Sequence, residues 1–354
     1  MWQNPYAVAR YYDLHPWSDE HLEAMRPCMK QLAEAGQKVI TTTLLHKPWG
    51  EQTYDYYETM VLRSKKIDGS WIFNYDIFDR WVSFMMSLGI NEQINCYTIA
   101  PWEETYQYFD ESTNTHQYIK AKIGDPDYMA YWNDFLQSFN MHLKQKGWFD
   151  KVTIAIDEQP LEIMQQVIHF IKTINPEFRI SLAGEYHPEI ESEIYDYCIA
   201  FHGDFPQDVK ERRKKEGKKT TFYTCCTEAL PNTFTFSPPS ESAWLGWYAA
   251  STHYDGYLRW AYNCWNKEPM SDSRFSTFSA GDCFLVYPKS WSSIRMEKLR
   301  EGIQAFEKIK ILQIEYQNNP KKLELIHTTL KPFADKENLY KLGAAQMIKD
   351  AHEK

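Results

Sequence analysis

The chain predicts an α/β fold of the (β/α)8 TIM-like barrel class, on three observations. Eight short, nearly continuous apolar segments rich in β-formers alternate with amphipathic helical segments over about 310 residues. That alternation calls for a parallel sheet covered by helices. An open dinucleotide-binding sheet is disfavoured, because no G-x-G-x-x-G follows the first strand and no P-loop occurs.

The elements follow in order. Residues 6–12, YAVARYY, read as the first strand. A helix starts at Ser18, places Leu22, Met25, Met29 and Leu32 at spacings of three and four, and stops at Gly36. Residues 38–46, KVITTTLLH, are the second strand. A long loop rich in Tyr and charge leads to a helix from Asp76, with Phe78, Trp81, Val82, Met85 and Leu88 on one side and Gly89 closing it. Residues 94–99 form the third strand, and the next helix carries Tyr128, Trp132, Phe135, Phe139 and Leu143. VTIAI at 152–156 is the fourth strand, followed by a helix after Pro160. RISLAG at 179–184, with a short helix near Pro188, and YDYCIAF at 195–201, with a basic helix, supply the fifth and sixth units. TTFYTCC at 220–226 is the seventh strand, and Ser237 is the expected N-cap of its helix, with Pro238 in the first turn. GYLRWAYN at 256–263 is the eighth strand, followed by an apolar run, CFLVYP, and a helix over 294–312. Residues 1–314 thus read as one barrel domain and the charged residues 315–354 as a peripheral helical extension.

Composition excludes several functions. The net charge of −9 disfavours nucleic-acid binding. The one basic run, KERRKKEGKK, sits where a helix ends, and its charges complement the helix dipole. No 18-residue apolar run predicts a membrane span, and no signal peptide opens the chain. The seven cysteines show no C-x-x-C pair, and no H-x-x-x-H or H-E-x-x-H spacing turns His46, His187 and His202 into a metal site. Neither metal nor cofactor is expected. Aromatic residues make up 16% of the chain, which suits both a large core and stacking against sugar rings.

Barrel active sites lie at the carboxyl ends of the strands. Read there, the sequence offers His46 and Trp102, the adjacent acids Asp157 and Glu158, then His187, His202, Tyr223, Asn232, Trp260, Asn263 and Trp265. Aromatic faces with carboxylates, amides and imidazoles at one rim are what a carbohydrate site requires. Two neighbouring carboxylates do not share one pKa: the more desolvated acid is pushed up and the other stays ionised. Ordinary glycosidases place their carboxylates on opposite sides of the scissile bond. Immediate neighbours suit a substrate-assisted reaction better, in which a 2-acetamido oxygen on the sugar is the nucleophile. The plain alternative is that two acids ahead of Pro160 complement the dipole of the following helix.

The stretch IAIDEQP resembles the Asp-Glu motif of glycoside hydrolase family 123, the β-N-acetylgalactosaminidases. So do QNPYAVARYY, AEAGQKVITTTLLHKPWGEQTYD, LGINEQINCYTIAPW, TFYTCCTEALPNTFTFSPPSESAWLGWYAA, DGYLRWAYNCWN and GDCFLVYP with SIRMEKLREGIQAFE, in the same order from about residue 3 to about residue 312. The resemblance implies a TIM-like barrel that removes terminal β-linked N-acetylgalactosamine, as from glycosphingolipid-type glycans. It implies retention through an oxazolinium-like intermediate, with Asp157 stabilising the acetamido nitrogen and Glu158 as general acid/base. Trp247, within one of the matching stretches, joins the expected substrate-binding residues. The resemblance further implies an N-terminal β-sandwich domain in full-length relatives and a periplasmic or secreted location. Two other readings stay open: a β-N-acetylglucosaminidase or related barrel glycosidase, and a non-catalytic carbohydrate-binding protein.

Overall fold

The computed structural model of the chain describes residues 1–353. The chain packs as two compact units, one of Trp2–Ala33 with Gln37–Tyr197 and one of Cys198–Lys354 with Met1 and Glu34–Gly36. The first holds α1 (Pro5–Tyr11), α2 (Asp19–Glu34), β1 (Val39–Thr43), β2 (Leu62–Lys65), β3 (Trp71–Asn74), α3 (Asp76–Ser87), β4 (Gln93–Tyr97), β5 (Thr105–Asp110), β6 (Thr115–Lys120), α4 (Pro126–Lys146), β7 (Val152–Ile156), α5 (Leu161–Ile174) and β8 (Arg179–Gly184). Strand β9 (Asp196–Ala200) begins in it. The second holds α6 (Gln207–Lys215), β10 (Lys219–Thr224), α7 (Pro239–Thr252), β11 (Gly256–Arg259), α8 (Ile294–Glu315), α9 (Pro320–Ala334), α10 (Lys336–Leu342) and α11 (Ala344–His352).

The larger sheet has seven strands in the order β1-β4-β7-β8-β9-β10-β11. The pairs β1–β4, β4–β7, β7–β8 and β10–β11 are parallel. The order ends at β1 and β11, and among the described residues no eighth strand closes it. The mixed α/β class therefore stands, but the expected closed eight-stranded barrel does not: the sheet is open with seven strands. The difference lies in YAVARYY. It is helix α1, not a strand. Asn4 Oδ1 accepts hydrogen bonds from the backbone N–H groups of Tyr6 and Ala7 at 3.0 and 3.1 Å, and Pro5 occupies the first helical turn. Pro5 to Ala9 are all buried, so the segment shows neither helical nor strand periodicity.

A second sheet, β3-β2-β5-β6, occupies part of what reads as loop. Its hairpins are closed by side chains: Asp68 Oδ1 accepts from Ser70 N, and Asp110 Oδ1 from Ser112 N. These strands are short and mostly solvent-facing, which leaves little apolar alternation to read. Elsewhere the corrections are small. Helix α7 begins at Pro239, with Pro238 at the cap, so Ser237 lies one position outside and makes no capping bond. The short helix near Pro188 is a 3-10 turn at Glu191–Glu193. The basic run ends α6 as expected, except that Arg213 is buried and donates to Thr220 Oγ1 and Lys219 O.

Within the second unit α7 is buried nearly all round. A Cβ on Gly246 would lie 2.0 Å from Gly302 O, so α7 and α8 cross backbone to backbone. The residues beyond Glu315 pack on α7 through Phe333, stacked on Trp247 at 5.1 Å. Among the described residues no helix is long and apolar enough to cross a membrane.

Candidate active site

Strand β7 is buried at every position, and Asp157 and Glu158 follow it directly. Asp157 is 8% exposed, while Glu158 is exposed to solvent. Helix α5 starts at Leu161, is capped at Pro160 without a side-chain bond, and has Glu162 as the acid of its first turn. The acid pair thus precedes the first turn, where dipole stabilisation has fallen away. Burial of a carboxylate there costs free energy and needs another reason.

That burial pushes the Asp157 carboxyl up to about 7. Desolvation dominates; a hydrogen bond from the Glu158 backbone and the nearby Trp49 indole oppose it, and the Glu158 charge adds to it. Trp49 sits on the loop after β1, stacked on Trp2 at 4.5 Å and edge-on to Tyr57 at 4.9 Å. Among the described residues its buried Nε1 makes no formed hydrogen bond, so its effect on Asp157 is that of a nearby N–H dipole. Tyr97, at the end of β4, accepts a bond from Trp2 Nε1 at 3.2 Å and closes this aromatic cluster.

The loops after β1, β4 and β7 are tied together. Gln159 Nε2 donates to Ala100 O at 3.2 Å, and Trp102 N donates to Pro48 O at 3.4 Å. The Trp102 side chain is 47% exposed in the loop so held. Gly184, which ends β8, would carry a Cβ only 3.9 Å from Glu158 Cα, so the acid lies over this glycine. His46 is half-buried, with Nδ1 2.5 Å from Glu58 Oε2. The His187 backbone N–H donates to Tyr197 OH, and its ring is half-exposed.

In the second unit, His202 is exposed and its Nδ1 lies 3.6 Å from Glu228 Oε1. Tyr223, on β10, is buried. Trp260 donates from Nε1 to Asp282 Oδ1 at 2.9 Å, and Asp282 forms a fully buried ion pair with Arg259. Arg259 also donates to Thr233 Oγ1, Thr224 O and Asp282 O. Asn232, Asn263 and Trp265 are buried. Trp265 Nε1 is committed to Val286 O, and the Asn232 amide to Cys225 O and Glu228 O. Trp247 lies on α7 between Phe333 and His352, in helix packing. Asn232, Asn263, Trp265 and Trp247 are thus all buried. Sequence reading placed Trp49 and Glu228 after their strands without giving them a role, and it missed the Arg259–Asp282 pair. No spacing rule signals them, because their partners are distant in the chain. Among the described residues no group of three His, Cys, Asp or Glu side chains is placed to hold a metal.

The comparisons with known proteins bear on the family. Residues 2–312 match the family model for the glycoside hydrolase 123 catalytic domain. A family 123 glycoside hydrolase from Clostridium perfringens, studied for glycolipid glycan hydrolysis, superimposes with a TM-score of 0.89 at 30% identity, over 99% of this chain and 68% of its own. A D-psicose 3-epimerase from Clostridium cellulolyticum H10, solved with D-tagatose, shares 11% identity over 82% of this chain and 94% of its own, with a TM-score of 0.36, too remote to bear on either fold or function. No curated protein matches. With its matched region spanning most of its length and an acid pair at the end of a parallel strand, the chain belongs to glycoside hydrolase family 123.

Proposed function

We propose that this glycosidase removes terminal, non-reducing β-linked N-acetylgalactosamine with retention of configuration, using the 2-acetamido group of the substrate as nucleophile. One observation supports this above all: Asp157 and Glu158 leave the end of one strand as immediate neighbours, one buried and one exposed. Retaining enzymes with their own nucleophile set two carboxyl groups about 5 Å apart, flanking the bond to be cleaved. Neighbours on one strand end approach the sugar from one side, which leaves the opposite role to the substrate.

In this reading the acetamido carbonyl oxygen attacks the anomeric carbon while the bond to the leaving oxygen breaks. Glu158 gives its proton to that oxygen, and Asp157 accepts a hydrogen bond from the acetamido N–H as positive charge develops on the group. Water then attacks the oxazolinium-like intermediate, with Glu158 recovering the proton. Burial raises Asp157, but a donor hydrogen-bonded to the ionised carboxylate favours that form. The acetamido N–H supplies such a donor. Trp102, His46 and His187, in the unit that carries the acid pair, are the proposed contacts to the rest of the glycan. The glycolipid glycans of the Clostridium perfringens relative suggest the substrate class.

The raised Asp157 favours one competing assignment, in which Asp157 is the proton donor and Glu158 orients the acetamido group. Substrate identity is tested by rates on paired aryl glycosides of N-acetylgalactosamine, N-acetylglucosamine and galactose. The galactoside is expected to be inert because it carries no internal nucleophile. Comparable cleavage of the galactoside would overturn substrate assistance, and preference for the N-acetylglucosaminide would reassign the sugar. Sugar binding without turnover of any of the three would favour a carbohydrate-binding protein.

A further inference from the structure

We propose that His46 is a specificity-determining residue and Glu58 its positioning residue: Glu58 holds the His46 ring so that Nε2 meets the C3 or C4 hydroxyl of the terminal sugar. The inference rests on the glycosidase reading above.

Both residues lie in the unit that carries the acid pair, beyond the carboxyl end of β1. His46 Nδ1 stands 2.5 Å from Glu58 Oε2. A carboxylate oxygen only accepts, so Nδ1 carries the proton. The bond made by one ring nitrogen sets the state of the other. Nε2 has no hydrogen-bond partner among the described residues, and the side chain is 16% exposed. As a neutral imidazole it accepts; as an imidazolium it donates. A sugar hydroxyl does both and fits either form.

The pair is anchored to the fold. The Glu58 carbonyl accepts from Thr43 Oγ1 at 2.6 Å and from Tyr6 OH at 3.1 Å, and Met60 N donates to Thr43 O at 2.8 Å. Directly after His46, Lys47 takes a left-handed backbone conformation with φ of 50°, uncommon in a residue with a side chain. Its N–H donates to Tyr57 O at 2.8 Å, and Tyr56 lies edge-on to the His46 ring at 5.4 Å. The Glu58 carboxylate is 42% exposed, and an ion pair so placed adds little stability, which makes loop closure alone a weak reason for it.

The place of His46 selects the hydroxyl. Strand β4 alone separates β1 from β7, so the two strand ends are roughly 10 Å apart. Trp49, on the same loop as His46, faces Asp157, whereas Glu158 lies over Gly184 of β8, on the other side of β7. With the acetamido group at Asp157 and the leaving oxygen at Glu158, the sugar runs from C1 near β8 through C2 toward β1. C3 and C4 are the ring carbons that follow C2.

The test uses the full chain and four substrates: an aryl β-N-acetylgalactosaminide and its 3-deoxy, 4-deoxy and 6-deoxy analogues. His46→Ala is expected to lower kcat/KM on the parent roughly 100-fold, and to cause no further loss on whichever of the 3-deoxy and 4-deoxy analogues lacks the hydroxyl it reads. Glu58→Ala is expected to be silent on the same analogue, with a loss of roughly tenfold on the parent. Glu58→Gln keeps a carbonyl oxygen for the Nδ1–H and should recover most of that loss. Wild-type rates in His46→Ala, equal losses on all four substrates, or a silent 6-deoxy analogue would overturn the inference and leave the glycosidase reading intact. So would a Glu58→Gln protein no better than Glu58→Ala, the result expected of an ion pair that only closes the loop. Should either alanine variant fail to fold, the ring nitrogen shifts of His46 in the wild-type protein at mildly alkaline pH decide: a proton on Nδ1 is expected, and a bare Nδ1 counts against. If the wild-type protein cleaves none of the four, the glycosidase reading falls and this inference with it.

Discussion

Trp49 on the loop after β1 faces Asp157 at the end of β7, and it is one of the groups that hold the ionised carboxylate against the cost of burial. Replacing Trp49 by Phe keeps a ring in the stack with Trp2 but removes the indole N–H. The Asp157 carboxyl should then titrate higher than in the wild-type protein. A pH profile of kcat/KM should show its acidic limb displaced upward, and an unmoved limb would mean that the indole dipole plays no part.

The wild-type acidic limb itself is expected near pH 7. Asp157 titrates at about 7 in the free protein, and kcat/KM reports free-enzyme groups. If the ionised carboxylate receives the acetamido N–H, kcat/KM should fall about tenfold for each pH unit below that point. Asp157→Asn should abolish most of the activity at every pH.

The two acids are separable by leaving group. Glu158→Gln is expected to lose at least about 100-fold on a substrate with a poor leaving group and much less on an activated aryl glycoside, which departs without full protonation. Asp157→Asn should lose comparably on both. The opposite pattern would exchange the two roles. A thiazoline analogue of the cyclised intermediate should bind far more tightly than the product sugar, by the preference of enzymes for transition-state-like ligands. Failure to inhibit would require an enzyme nucleophile.

Asp157 also links pH to stability. Its carboxyl lies higher folded, at about 7, than its ordinary value of 3.8. Its favourable contribution is therefore fully present below about pH 4 and is lost as pH rises through 7. At about 1.4 kcal/mol per tenfold step in proton affinity, the ceiling is roughly 4 kcal/mol. Denaturant unfolding across pH 4 to 8 should show the wild-type protein losing stability relative to Asp157→Asn over that window. Parallel curves for the two proteins would place the cost of burial elsewhere.

Gly246→Ala should be among the most destabilising single-methyl additions in the chain. The new Cβ meets Gly302 O and C at 2.0 and 2.3 Å, both backbone atoms. Relief requires α7 and α8 to move apart, at a cost of roughly 3 kcal/mol or more. Denaturant unfolding measures this directly, and a near-neutral result would show that the helix crossing is adjustable.

Much of this was legible in the sequence because it is local. Seven of the eight apolar segments read as strands are strands of one sheet, since continuous burial of β-branched residues leaves its mark on each segment. The position of Asp157 and Glu158 at a strand end followed from the same pattern. Three things only the tertiary structure decided. YAVARYY is a helix because Asn4 caps it, and the loss of that strand leaves the sheet open. Asp157 rather than Glu158 carries the desolvation, because burial depends on what packs above the strand end. Trp265, Trp247, Asn232 and Asn263 are buried, whereas Trp102 and His202 stay exposed. Residue type and spacing establish which side chains are available for chemistry. Their exposure and hydrogen bonds depend on partners far along the chain, and those partners are brought near only by folding.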